Sequence, residues 1–194
     1  MEKVTSLKDG TEVTIRPIEA ADVEKSLAFF RQMPDEDRNY LRVDVTRRDV
    51  VEHRVEQAVS GEVQRLIALA GDRIVADGAL EPAAHEWAAH VRELRLIVAH
   101  SFQRKGLGMV MARDLYQLAI ASKAEYIEVH MMRPQTAAHN IFRRLGFHEE
   151  VMLPDHVRDR AGSTQDLIMM RCDIKEMWEE LEHFFAASDW QRAR

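Results

Sequence analysis

The segment Gln103-Arg104-Lys105-Gly106-Leu107-Gly108 sets two glycines around one leucine, with two basic residues just before them. An apolar run from Val91 to Val98 precedes it. A helical stripe of Leu107, Val110, Met111, Leu115, Leu118 and Ala119 follows at once. Glycine takes backbone conformations that side chains disfavour and lets a ligand approach the main chain. The first N–H groups of a helix have no intrahelical acceptor and carry partial positive charge. Strand, glycine turn and helix start therefore form an anion site suited to a pyrophosphate, with Arg104 and Lys105 adding charge at its rim. The same pattern also serves as an ordinary strand-to-helix turn. Two other phosphate loops are excluded by spacing. No Gly-Lys-Ser/Thr follows at the Walker position, and Met111 stands where a dinucleotide fingerprint needs a small residue.

Other reactive side chains carry less. His85 and His90 are five apart, which misses the i, i+4 spacing of helical metal ligands, so no zinc or other metal site is expected. Cys172 is the one cysteine and lies in the apolar run Leu167-Ile168-Met169-Met170-Arg171-Cys172, where it reads as a small buried hydrophobe. A single cysteine cannot make an internal disulfide and fits a cytoplasmic protein. The formal net charge of -6 argues against a nucleic-acid partner and is compatible with a basic acceptor. The first ten residues lack the apolar stretch of a secretory signal, and no run approaches the ~18 apolar residues of a membrane span.

The elements that must hold the glycine turn follow from periodicity. Val13 and Ile15 alternate with polar neighbours as a strand closed by Pro17. Residues 20–30 and 50–59 carry helical stripes, the first ending before Pro34 and the second at Gly61. Val63 to Leu69 and Ile74 to Leu80 read as a hairpin turning at Gly71-Asp72. Ile127, Val129 and Met131 mark another strand. A short helix from Thr136 to Leu145 ends at Gly146. Val151 to Leu153 and Leu167 to Met170 read as a last pair of strands around a long loop. Ile174, Met177, Trp178, Leu181, Phe184 and Phe185 make 173–194 an amphipathic C-terminal helix, appended to a domain of residues 1–172. That helix packs on its own domain or makes a homodimer contact, so a monomer and a homodimer both remain open. The fold class is α+β, a mixed and mostly antiparallel sheet with helices on both faces.

Gln/Arg-x-x-Gly-x-Gly, here Gln103 to Gly108, resembles the coenzyme A motif of the GNAT superfamily of N-acyltransferases. Leu94-Arg95-Leu96-Ile97-Val98 resembles the strand that the family places before it. Ala137-Ala138-His139-Asn140-Ile141-Phe142-Arg143-Arg144-Leu145-Gly146-Phe147 resembles its later helix, and Leu7 to Pro17 its first strand. The resemblance spans about residues 8 to 172. The opening strand and Val157-Arg158-Asp159-Arg160-Ala161-Gly162 bring it nearest to the GNAT domain of bacterial protein-lysine acetyltransferases.

The resemblance implies a fold in which Leu94–Val98 and Tyr126–Met131 splay apart. It implies an N-acetyltransferase moving an acetyl group from acetyl-CoA to a primary amine, a protein lysine or a small amine, by direct attack. The cofactor-binding residues are then Leu96, Ile97, Val98, Gln103, Arg104, Lys105, Gly106, Leu107, Gly108, Met109, Gln135, Asn140 and Phe142. An amine arrives mostly protonated, since free lysine titrates near ~10.4, so a base is needed. Glu93 is the expected base, with Glu81 and Glu128 as neighbours of the same kind. Val98 N–H is the expected oxyanion donor. Phe142 stands where many relatives have the tyrosine that protonates the CoA thiolate, and phenylalanine has no proton to give. Tyr116, His139 and Asn140 are the nearby substitutes in sequence. Phe142 also motivates a second reading, a non-catalytic acyl-CoA-binding or sensing module. A third is a scaffold assembled through the C-terminal helix. The acceptor would lie between Phe29 to Leu41 and the loop Pro154 to Gln165, where Asp155, Asp159 and Asp166 could attract a cation.

Overall fold

A computed structural model describes residues 2–83 and 85–176. In chain order the elements are β1 (Lys3–Ser6), β2 (Glu12–Pro17), α1 (Val23–Gln32), α2 (Asp35–Arg38), α3 (Arg48–Val59), β3 (Gln64–Ala70), β4 (Arg73–Pro82), β5 (Val91–Val98), α4 (Leu107–Ala121), β6 (Tyr126–Met132), α5 (Thr136–Arg144), β7 (His148–Arg158) and β8 (Thr164–Asp173). The eight strands form one sheet in the order β1-β2-β3-β4-β5-β6-β8-β7. Every neighbouring pair is antiparallel except β5 and β6, which run parallel.

Two apolar layers cover the sheet. On one face Leu107, Met111, Leu115 and Ala119 of α4 and Phe142 of α5 pack on Leu80, Leu94, Ile127 and Val129. On the other, Leu27 and Phe30 of α1 and Val51 and Val55 of α3 pack on Ile67, Leu69 and Ile74. The amphipathic stripes and the alternating strands put these residues inside because burying each large apolar side chain is worth about 1.5–3 kcal/mol.

The single parallel pairing is short. Val91 pairs with Tyr126, Arg92 with Ile127 and Glu93 with Glu128, and there the ladder stops. Both strands run on, β5 to Val98 and β6 to Met132, so the sheet opens into a splay at its centre. β6 keeps its other edge bonded to β8 along its whole length, and β5 stays bonded to β4. The opening is therefore held from both sides.

Two expectations need correction. β1 was not foreseen, since its one apolar residue, Val4, is 65% exposed and gives no inward signal. The segment Pro154 to Gln165 is mostly strand rather than loop, and only 159–163 connect β7 to β8. β7 is an edge strand with almost every side chain exposed, so no alternation marks it, and its ladder is interrupted between Leu153 and Val157. An edge strand tolerates Pro154, which in a central strand would break the ladder. The expected helix at 173–194 lies almost wholly outside the described residues, and with it the proposed dimer contact. Among the described residues no helix is long and apolar enough to cross a membrane.

Candidate active site

α4 starts at the glycine turn. Gly106 has φ +92° and occupies the N-cap position, where no side chain caps the helix. The N–H groups of Leu107, Gly108 and Met109 thus lack intrahelical acceptors, while Val110 N–H already donates to Gly106 at 3.1 Å. A Cβ on Gly108 would lie 3.4 Å from Ile141 Cδ1 and 3.8 Å from Val98 Cγ2, so the helix start is tight against both α5 and the end of β5. Arg104 has φ +61°, a conformation non-glycine residues rarely adopt, which turns the chain sharply before the helix.

The turn is braced from the first hairpin. Lys8 N–H donates to the Lys105 carbonyl at 3.1 Å, and Lys105 Nζ lies 2.9 Å from Asp9 Oδ2. That ammonium, helped by Thr11, holds the Asp9 carboxyl down to about 2. The Lys105 ammonium also sits 5.0 Å above the Phe102 ring. Lys105 is therefore tethered, not free at the rim.

The splay presents backbone groups of alternating direction. Ala99 N–H donates to Val75 C=O at 2.9 Å. Donor direction alternates along an antiparallel ladder, so Val98 and Leu96 turn their N–H and C=O groups away from β4, into the opening. The Val98 carbonyl takes Gln103 Nε2 at 3.3 Å, which matches that direction and ties the glycine turn to the splay. Ile97 has the opposite parity. Its backbone faces β4 and its side chain packs against the α1 and α3 layer.

Glu81, Glu93 and Glu128 stand side by side across β4, β5 and β6, since each is the direct register partner of the next. They share the face of Ile97, under the segment between α2 and α3. Glu93 is not solitary. Both its oxygens accept from Arg42, which reaches down from that segment, at 2.9 Å for Nη1 to Oε2. Glu81 accepts Arg95 Nη1 at 3.0 Å on each oxygen. His130, one strand repeat past Glu128, places Nδ1 3.6 Å from Glu93 Oε1 and Nε2 3.5 Å from Glu128 Oε2. Arg42 and His130 were missed in the sequence. His130 had a legible signal, because it is two residues beyond Glu128 on an alternating strand; Arg42 had none, since it lies far from Glu93 in the chain. Below this row, buried Asp77 binds Arg65 at 2.6 Å and Arg54 at 3.1 Å.

The remaining expected residues divide. Phe142 is buried and packs edge-on against Phe147 with ring centroids 5.2 Å apart. Gln135 Oε1 accepts the Met132 N–H at 2.8 Å, capping the end of β6. Asn140 is exposed on α5. Tyr116 is buried, and desolvation pushes its hydroxyl well above the usual range, with Cys172 and Asp173 adding to the effect. His139 Nε2 lies 3.3 Å from Glu149. Asp166 is taken by Asp155 N–H and Arg133, and Asp159 by Ser163 N–H and Gln165, so both brace the β7–β8 hairpin. Of the two segments expected around the acceptor, 154–165 reaches past Phe29 to Leu41 to a residue just beyond it. Arg160 of that hairpin pairs with Asp44 at 3.1 Å, and with Thr46 holds the Asp44 carboxyl far below the ordinary range.

Comparisons with known proteins fall on the same ground. The family model for the acetyltransferase (GNAT) family matches residues 27–147. A search of curated proteins returned no match. Among solved structures, the GNAT domain of Streptomyces lividans PAT superposes with a TM-score of 0.72 at 18% identity, covering 89% of this chain and 96% of that one. A ribosomal-protein-alanine N-acetyltransferase from Brucella melitensis gives 0.72 at 22% identity, covering 82% and 98%. The yncA protein of Salmonella typhimurium, solved with its cofactor acetyl-CoA, gives 0.70 at 17% identity, covering 84% and 94%. At these identities the superpositions speak to the fold, and the family match speaks to the class. The chain belongs to the acetyltransferase (GNAT) family and is an enzyme of the N-acetyltransferase class.

Proposed function

We propose that this enzyme transfers the acetyl group of acetyl-CoA to a primary amine by direct attack, with no covalent acyl-enzyme. The observation that carries the reading is the splay itself. It opens inward-turned N–H groups at Leu96 and Val98, and it ends at an uncapped helix start. Residues Gln103 to Met109 bind the pyrophosphate through the first N–H groups of α4, with Arg104 and Lys105 at the rim. Leu96 and Val98 hydrogen-bond the pantetheine as a third strand would, and Val98 N–H stabilises the oxyanion when the amine adds to the thioester. Gln135, Asn140 and Phe142 belong to the β6–α5 side of that slot, and Ile97 contributes by its place in β5 between Leu96 and Val98, not by donated hydrogen bonds. The acceptor enters over the face carrying Glu81, Glu93 and Glu128, and Glu93 belongs to the group that removes its proton.

The acceptor is a cation before it reacts, and Glu128, which unlike Glu93 and Glu81 has no arginine partner among the described residues, can attract it. The yncA neighbour, solved with acetyl-CoA in the same fold, supports the choice of donor. A protein lysine and a small amine both meet these requirements. The test is acetyl-CoA turnover, followed by release of CoA thiol, against a panel of lysine peptides and small amines. Turnover on at least one is expected. Saturable CoA binding with no turnover on any acceptor would instead establish the acyl-CoA-binding module that Phe142, which carries no proton donor, suggests.

A further inference from the structure

We infer that His130 is the group that takes the proton from the acceptor amine, with Glu93 and Glu128 as the residues that position its ring. This rests on the acetyl-transfer reading above and assigns the proton route within it. Three observations carry it. First, Glu93 has both oxygens occupied by Arg42. A carboxylate clamped by a bidentate guanidinium has one lone pair on each oxygen already engaged, so fewer remain to meet an incoming amine.

Second, His130 lies between two carboxylates, Nδ1 toward Glu93 and Nε2 toward Glu128, at 3.6 and 3.5 Å. Its Nε2 is buried and has no hydrogen-bond partner. An imidazole nitrogen carries a lone pair that can take a proton, and the two carboxylates fix how the ring is turned.

Third, the position is right. Glu93 and Glu128 are the last bonded pair of β5 and β6, so they stand at the closed end of the splay. His130 is one strand repeat further along β6, past that last bonded pair, on the strand that borders the opening. The charged groups on its face are Glu93 and Arg95 on β5, Glu128 on β6, Arg171 on β8 opposite Glu128 and, through Glu93, Arg42 of the segment between α2 and α3. β8 sets Met169 opposite it.

The step balances as follows. The ammonium N–H bond breaks and its proton passes to Nδ1 of His130, the ring nitrogen that is not fully buried, leaving the electron pair on the amine nitrogen. That pair forms the N–C bond to the thioester carbonyl. The C–S bond then breaks, and the second proton shed by the nitrogen goes to the CoA sulfur. His130 returns its proton to solvent, so each turnover releases amide, CoA thiol and one proton.

The experiment compares wild type with His130→Gln, His130→Ala and Glu93→Gln, measuring kcat across pH at saturating acceptor and the affinity for CoA by calorimetry. His130→Gln is expected to lower kcat by about 100-fold or more and to abolish its acidic limb, with CoA affinity within about 3-fold of wild type. Added imidazole is expected to restore part of kcat in His130→Ala, which a purely structural role would not allow. Glu93→Gln is expected to shift the limb but keep it. Loss of the limb in Glu93→Gln with its retention in His130→Gln, or wild-type kcat in His130→Gln, overturns the assignment. Wild-type protein that binds CoA and acetylates no amine is a different result. It removes the acetyl-transfer reading, and this assignment goes with it.

Discussion

Gly106 shows how much one residue decides. Its φ of +92° lets the chain leave β5, turn and begin α4 with free N–H groups aimed outward. A side chain there meets only ordinary contact, 3.6 Å from Lys8, so space is not the constraint; backbone conformation is. Gly106→Ala is therefore expected to cost about 1–2 kcal/mol from the left-handed backbone alone. If the turn is the pyrophosphate site, CoA affinity falls with it. Thermal denaturation with and without CoA separates the two: a lower melting temperature with an undiminished CoA-induced shift would leave the backbone argument standing and remove the turn from the site. His130 belongs to the same scale. Alternation along β6 puts it on the face of Glu128, but that signal does not say what stands beside it. Its position between two carboxylates arises from strand register.

At the scale of elements, the way α1 is fastened to the sheet can be tested by pH. Asp22, just before α1, accepts Arg16 Nη1 and Nη2 at 2.6 and 2.8 Å and Glu19 N–H at 2.9 Å, and it is 2% exposed. Arg16 holds its carboxyl below the ordinary value, against the opposing effect of burial. A carboxyl whose pKa is depressed on folding stabilises the native state above its unfolded pKa, near ~3.9, and loses that contribution as pH falls through the folded value. Asp22→Asn leaves a half-buried guanidinium without its counter-charge and is expected to cost about 1–3 kcal/mol at neutral pH. In urea melts the gap between wild type and variant should close as the pH drops below that of an ordinary carboxyl. A gap of constant size down to strong acid would assign the effect to packing. Gly78 fixes the other layer. A Cβ there would stand 2.7 Å from Leu115 Cδ1, so α4 approaches β4 more closely than a side chain allows unless Leu115 shifts.

For the molecule as a whole, the buried charge at Asp77 joins three elements. It holds Arg54 of α3 and Arg65 of β3 from the centre of β4, and burial pushes the Arg54 guanidinium down to about 10 while leaving it charged at neutral pH. Asp77→Asn strands two positive charges beneath the face that carries Glu81 and Glu93. A loss of about 3–5 kcal/mol is expected in equilibrium urea denaturation. A loss under ~1 kcal/mol would mean that Glu81, 3.8 Å from Arg65, takes over the pair.

Much of this architecture was legible in the chain. Apolar period and glycine stops placed α1, α3, α4, α5 and the central strands, because those signals report burial, and burial is local in origin. The Gln103 to Gly108 turn was legible for a similar reason, since helix termini and glycine act over a few residues. The edge strands β1 and β7 were not, because their side chains face solvent and carry no period. Nor was the pairing of Arg42 with Glu93, 51 residues apart, or of Arg160 with Asp44, 116 apart. The sequence by itself determined the layers, the glycine turn at the start of α4 and the family of the fold. Only the tertiary structure decided which carboxylate is already occupied and which histidine stands beside it, because strand register and long-range ion pairs depend on elements that meet only once the chain has folded.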